Sequence, residues 1–258
     1  FDAYVRSWTV VLAILCGLLV LLGVYHVRAL PAGGGAAERH SLRDGLSGLK
    51  EVVGAFFQKK HIWYYLGFII LYRLGEGFVM KIVPLFLKAD TASGGLGLTN
   101  QQIGLYYGTF GAGAFLLGSL LAGYYIAHRG LRRTLFILCC IFNIPFAVYA
   151  LLAWLQPQSM WIVGGGIVLE YFGYGFGFVG LTLFMMQQVA PGRHQMAHYA
   201  FASGIMNLSV MLTGAVSGYL SDALGYGMFF LAVMLATVPA FLVTWFVPFT
   251  YDDKPNDK

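Results

Sequence analysis

Apolar residues run in long blocks along this chain, with short polar or charged punctuation between them. Seven blocks stand out, at roughly 8–27, 62–87, 102–127, 134–155, 160–189, 197–220 and 227–249. At about 1.5 Å of rise per residue, a helix of such length crosses a hydrocarbon core about 30 Å thick, the longer ones with tilt. A membrane-spanning β-strand needs only about 9–11 residues, so the blocks predict helices. The expected fold class is an all-α integral membrane protein.

The gap between the first two blocks has a different character. PAGGGAAERHS, 31–41, reads as a flexible linker. In the stretch that follows, Leu42, Leu46, Leu49, Val53 and Phe56 share one helical face, while Arg43, Asp44, Lys50 and Glu51 mostly lie elsewhere. That spacing predicts a helix lying on the membrane surface; a short helix joining two bundles fits the same pattern. Six blocks after such a linker have the size of one half of a two-bundle transporter. The expected division is a last helix of a preceding, missing N-terminal bundle at 1–30, a linker with its amphipathic helix at 31–60, a six-helix bundle at 61–250 and a tail at 251–258. The opening Phe1, with no leader ahead of the first block, is expected to reflect a piece of a longer protein. A seven-span receptor has the same topology, although the last block holds no Lys for a retinal Schiff base.

Composition sharpens this picture. The chain is 59% hydrophobic and 10% charged, with a mean hydropathy of +0.72, and few soluble domains carry so little charge. A net charge of +5 could suggest nucleic acid, but the basic residues are sorted by loop. Arg28, Arg39, Arg43, Lys50, Lys59, Lys60, Arg129, Arg132, Arg133, Arg193, Lys254 and Lys258 fall on one side, and only Arg6 and Lys88 on the other. The bias predicts that the first side, with the C-terminus, is cytoplasmic. Cys16, Cys139 and Cys140 all sit within apolar blocks and read as packing residues rather than as a disulfide framework or metal ligands. No nucleophile elbow, zinc-protease helix or phosphate loop is present, and no enzyme activity, metal or cofactor is expected.

Charges inside the blocks carry the functional signal. Arg73 and Glu76 lie three residues apart about halfway along the second block, and Glu170 about halfway along the fifth. A charge at that depth costs several kcal/mol unless it faces protein or water. One reading is an ion pair locking two helices. The other is a central site in which Arg73 binds an anionic group or holds an acid, while Glu76 or Glu170 exchanges a proton. Tyr171 and Tyr174 flank Glu170 and could contact a sugar or peptide. Lys81 lies eight residues beyond Arg73, where snorkelling to the outer interface competes with a lure for anions; Pro84 is a candidate bend just above it. Asn143 and Asn207 are helix-to-helix glue or solute contacts. His198 is either a pH-sensitive group near an inner gate or a satisfied interface histidine. Thr99 and Gln102 mark a helix start. Glycine stripes at Gly104, Gly108, Gly111 and Gly118, at Gly166, Gly173, Gly177 and Gly180, and at Gly204, Gly214 and Gly218 predict close helix packing.

One loop matches a known pattern. In GYYIAHRGLRR, 123–133, Gly123, His128, Gly130 and Arg132 fall in register with the signature loop of the major facilitator superfamily, with Arg129 and Arg133 beside them. Ala127 stands where that pattern has an Asp that forms a locking ion pair. A related GYLSDALGYGMFF, 218–230, carries Asp222 in the acidic position. The stretch 195–230, through Ala197, Tyr199, Ala200, Gly218, Asp222, Gly225 and Tyr226, resembles the muropeptide permease branch, although Met196 replaces the usual Thr. YRLGEGFV, 72–79, resembles that branch too, with Glu76 where Asp often stands. The resemblance covers about residues 40 to 250. It implies a second six-helix half of a permease of the bacterial inner membrane, a proton as coupling ion, and a small polar or anionic solute as partner, with membrane lipid around it.

Overall fold

The computed structural model describes residues 2–30 and 42–251. The linker at 31–41 and the tail from 252, with Arg39, Lys254 and Lys258, lie outside the described residues, as do the side chains of 42–47. The described residues form two units divided between Ser47 and Gly48. The first contains α1, Asp2–Ala29, whose last turn holds His26 and Arg28, where positive charge complements the helix dipole. Helix α2, Leu42–Phe57, begins there and continues into the second unit.

The second unit is all helical. Its first span is α3, Ile62–Tyr72, followed by α4, Leu74–Lys88. The interruption lies at Arg73, with φ −101° and ψ 9°, and α4 runs unbroken through Pro84. A folded-back connection follows, in which Leu96, Gly97 and Leu98 donate to the carbonyls of Phe86, Ala89 and Leu87. Thr99 then opens the next span with the capping box its spacing predicts: the Thr99 hydroxyl accepts from the Gln102 amide, and the Gln102 side chain accepts from the Thr99 amide. This span comprises α5, Asn100–Ile103, a wider π-helical stretch at Gly104–Phe110, and α6, Gly111–Arg129.

Gly130 alone reverses the chain into α7, Leu131–Asn143, through φ 77° and ψ 148°. Only glycine enters that region without cost. Pro145 sits in a single tight turn, Ile144–Phe146, that joins α7 to α8, Ala147–Leu155. Helix α9, Met160–Phe184, ends in a second π-helical stretch, Met185–Val189. The last two spans run through α10, Gln195–Ala236, whose backbone leaves helical geometry at Gly225 (φ 70°, ψ 161°), and then α11, Val238–Trp245. Five helical runs among the described residues are long and apolar enough to cross a membrane. The expected count of seven is recovered once the run split at Arg73 is included and the run bent at Gly225 is divided.

Helix α9 is the axis of the bundle, against α6 on one side and α7 on the other, while α10 packs along α4. Glycine makes the approach possible. A Cβ on Gly175 would strike the Phe115 carbonyl, and one on Gly118 the Phe172 carbonyl. Ser119 uses the same closeness to donate to the Gly175 carbonyl at 3.2 Å. The predicted stripes are only partly used. Gly104, Gly108, Gly204 and Gly218 have no heavy atom within 4 Å of a built Cβ, so their faces meet nothing in the described residues.

Candidate solute site

The break at Arg73 creates the site. The turn there lets the Arg73 guanidinium fold onto Glu76 in the next turn, with Nε and one terminal nitrogen donating to the two carboxylate oxygens. Both side chains are buried, Arg73 at 5% exposure and Glu76 at 4%. A fork-on-carboxylate pair of this kind is the strongest geometry an ion pair has. The Phe178 ring lies 5.3 Å beneath the guanidinium, and the Tyr174 hydroxyl approaches the same pair. Of the two roles open to Arg73, the geometry displays the holding of an acid.

Glu170 is buried on α9 and accepts a hydrogen bond from the Tyr149 hydroxyl at 2.8 Å. Tyr149 comes from α8, across the Pro145 turn, and stacks on Phe230 with ring centroids 5.6 Å apart. Tyr171, one residue beyond Glu170, meets Tyr107 edge to face at 4.9 Å. Tyr107 stands in the π-helical stretch of the third span.

These groups line one cavity. Glu76, Tyr107, Tyr149, Glu170, Tyr171 and Tyr174 share it with Val79, Met80 and Phe146, and its volume is about 50 Å³. A buried water needs roughly 10–15 Å³ on that measure, so the space suits a few waters rather than a whole solute. Chemically it offers two carboxylates and four phenols, and one of the carboxylates, Glu76, is engaged by the Arg73 guanidinium behind it.

The structure therefore brings together Arg73, Glu76, Glu170, Tyr171 and Tyr174, and leaves other sequence candidates elsewhere. Lys81 is exposed, its stem lying over Gly214. Asn143 is buried but turns back to donate to the Cys139 carbonyl at 3.1 Å. Asn207 is exposed on α10. Asp222 is exposed one turn before Gly225. Gly123 sits within α6 with open space at its Cβ; His128, Arg129, Arg132 and Arg133 are exposed around the Gly130 turn, His128 making a 2.9 Å hydrogen bond to the Tyr124 carbonyl. His198 is buried where α10 meets α2: Nε2 lies 3.2 Å from the Val52 carbonyl and the ring packs on Phe56. Two lining residues, Tyr107 and Tyr149, escape sequence reasoning. In a chain with 16 tyrosines, no spacing singles them out.

The arginine-rich end has its own tie. Lys59, half-buried after α2, donates to the carbonyls of Val189, Ala190 and Pro191, closing the end of the α9 span. Burial lowers its pKa from the ordinary lysine range. Next to it, the Gln188 side chain accepts from the Thr250 and Tyr251 amides and donates to the Tyr251 carbonyl.

Residues 70–258 match the Major Facilitator Superfamily. The chain belongs to that superfamily. The chain is similar to the anhydromuropeptide permease of Escherichia coli K12, 26% identical over 188 residues, which are 73% of this chain and 37% of the relative. A putative transporter, AmpG 2 of Rickettsia bellii, is 24% identical over 74% of this chain and 46% of its own length. An uncharacterized protein of Haemophilus influenzae is 22% identical, again over 74% of this chain and 46% of its own. The chain thus spans less than half the length of these curated relatives. Family and helices together make it a multi-pass, all-α membrane protein.

Proposed function

We propose that this chain is the second half of a secondary transporter that imports a polar or anionic solute of the muropeptide class together with a proton. The observation that carries the reading is the buried Arg73–Glu76 pair, whose Glu76 lines a cavity shared with Glu170. While Glu76 is ionised, it occupies two N–H donors of Arg73. A proton on Glu76 removes the charge that holds the guanidinium, and Arg73 is then free to pair with a carboxylate on the solute. Anion and proton thereby enter the site together, which is the requirement for symport. Glu170, held by Tyr149, is the second acid and supplies a hydrogen-bond acceptor for hydroxyl or amide groups. The other wall of the site comes from a partner bundle, the missing N-terminal half, and the two rock about it. In support, a named permease for anhydromuropeptides is among the relatives. The small cavity is consistent with a half-site.

The test is uptake of labelled anhydromuropeptide by the complete transporter in proteoliposomes, with and without an inward proton gradient. Gradient-driven accumulation is expected, and Glu76→Gln, which keeps the shape of the protonated acid, should abolish the dependence while leaving solute exchange. Equal uptake with and without the gradient in the unaltered protein would reduce the reading to an uncoupled facilitator. No uptake under any condition would remove the muropeptide class.

A further inference from the structure

The third span carries one residue more than a plain α-helix would hold. Between α5 and α6 its backbone widens into the π-helical stretch Gly104–Phe110. The Gly111 amide reaches back five residues to the Tyr106 carbonyl, and the Thr109 hydroxyl donates to the Gly104 carbonyl at 3.3 Å across the same turn. Turns of this kind are rare, occur as single bulges inside α-helices, and concentrate at functional sites. This one carries Tyr107, which meets Tyr171 and lines the solute cavity. Its neighbour Tyr106 lies on Gly164 of α9, where a Cβ would strike the tyrosine ring.

The spare residue gives the span a second register. Beyond the bulge, α6 is pinned to α9, because Gly118 abuts the Phe172 carbonyl and Gly175 the Phe115 carbonyl. Closing the stretch to plain α-helix therefore leaves α6 in place. The part before it turns by about 100° and moves away along the axis by about 1.5 Å. Each residue there takes the place its predecessor holds now: five-residue stacking of Tyr106 under Gly111 becomes four-residue stacking of Tyr107. Tyr107 then lies on Gly164, which already receives a tyrosine ring, and Gly108 stands where Tyr107 stands now. Residues 100–110 are half-buried or exposed, so turning them disrupts little packing, and Gly104 and Gly108 lend the stretch backbone freedom. The present cavity of about 50 Å³ is too small for a whole solute, and glycine in place of Tyr107 adds the space of a phenol ring. We propose that Gly104–Phe110 is a register switch that admits the solute: in its π-helical form Tyr107 fills part of the cavity, and in its α-helical form Gly108 replaces it. This rests on the reading of that cavity as the solute site.

Cross-linking of the complete transporter in a cysteine-free background tests this. A short bis-methanethiosulfonate reagent is applied to Tyr107→Cys with Tyr171→Cys, and separately to Gly108→Cys with Tyr171→Cys. Without solute the first pair should link in higher yield. Anhydromuropeptide at about ten times its dissociation constant should raise the yield of the second pair relative to the first about tenfold, the shift made by a ligand that binds one of two states. Absence of any link in the second pair under all conditions overturns the switch. A solute-independent ratio of two efficient links keeps the register exchange and removes anhydromuropeptide as its solute, which separates failure of the switch from failure of the solute reading. Deletion of Gly108 is the second arm. It leaves Tyr106 and Tyr107 facing as they do now, and takes away the spare residue that makes the exchange possible. The deletion variant should keep its thermal midpoint and the link between the first pair while losing uptake of labelled anhydromuropeptide. Undiminished uptake in a deletion variant that keeps this link overturns the switch, and if the deletion prevents folding, the cross-link ratio decides alone.

Discussion

Arg73 and Glu76 show how a charge becomes tolerable in a chain that is 10% charged. Neither is exposed beyond 5%, so each depends on the other rather than on solvent. Removing one partner of a buried pair costs about 3–5 kcal/mol, because the remaining charge is stranded. Glu76→Ala should therefore lower stability in a denaturant titration by about that amount, and Arg73→Met combined with Glu76→Leu should restore most of it. A full loss in the double variant would mean that the pair organises the helix break itself. The residues of this pair were legible in the sequence because three-residue spacing puts them on one face. Their fork geometry was not, since it depends on the backbone leaving the helix at Arg73.

At the scale of elements, the bundle is held by backbones in contact rather than by side chains in water. Lipid tails are as apolar as leucine, so helices associate through close packing and interhelical hydrogen bonds. The α6–α9 seam is the clearest case. Gly175→Ala would drive a methyl into the Phe115 carbonyl, and backbone cannot move aside as a flexible side chain can. A cost of about 1–3 kcal/mol is expected for such overpacking, while Gly123→Ala, with open space at its Cβ, should be neutral or slightly stabilising. Thermal midpoints of the two variants check this; equal midpoints would show that α9 is free to slide. Spacing alone located the glycine stripes but could not tell used faces from open ones. Gly118 meets a neighbouring helix and Gly108 does not, although both stand on the same predicted stripe. Likewise, the sequence pointed to Pro84 as the bend in the second span, whereas the helix is interrupted at Arg73 and runs on through Pro84.

For the whole molecule, membership of the superfamily agrees with the resemblance read from the Gly130 turn and the 195–230 stretch. Orientation remains a matter of charge bias, and it makes a direct prediction. Ser93 and His128 are both exposed, at the two ends of the span that runs from Asn100 to Arg129. In a background with Cys16, Cys139 and Cys140 replaced, Ser93→Cys should react with a membrane-impermeant maleimide in intact cells, and His128→Cys only after permeabilisation. The reverse pattern would invert the topology. By itself the sequence determined the class, the number and approximate borders of the spans, the turn at Gly130 and the place of Arg73, Glu76 and Glu170 near the middle of their blocks, because hydropathy, glycine's backbone freedom and helical rise are local properties of the chain. Only the tertiary structure decided that Glu76 and Glu170 share one cavity, that Tyr107 and Tyr149 join them, and that Asn143 and Lys81 do not. Those outcomes depend on which faces of distant helices meet, and facing is set by packing across the bundle, which no single span encodes.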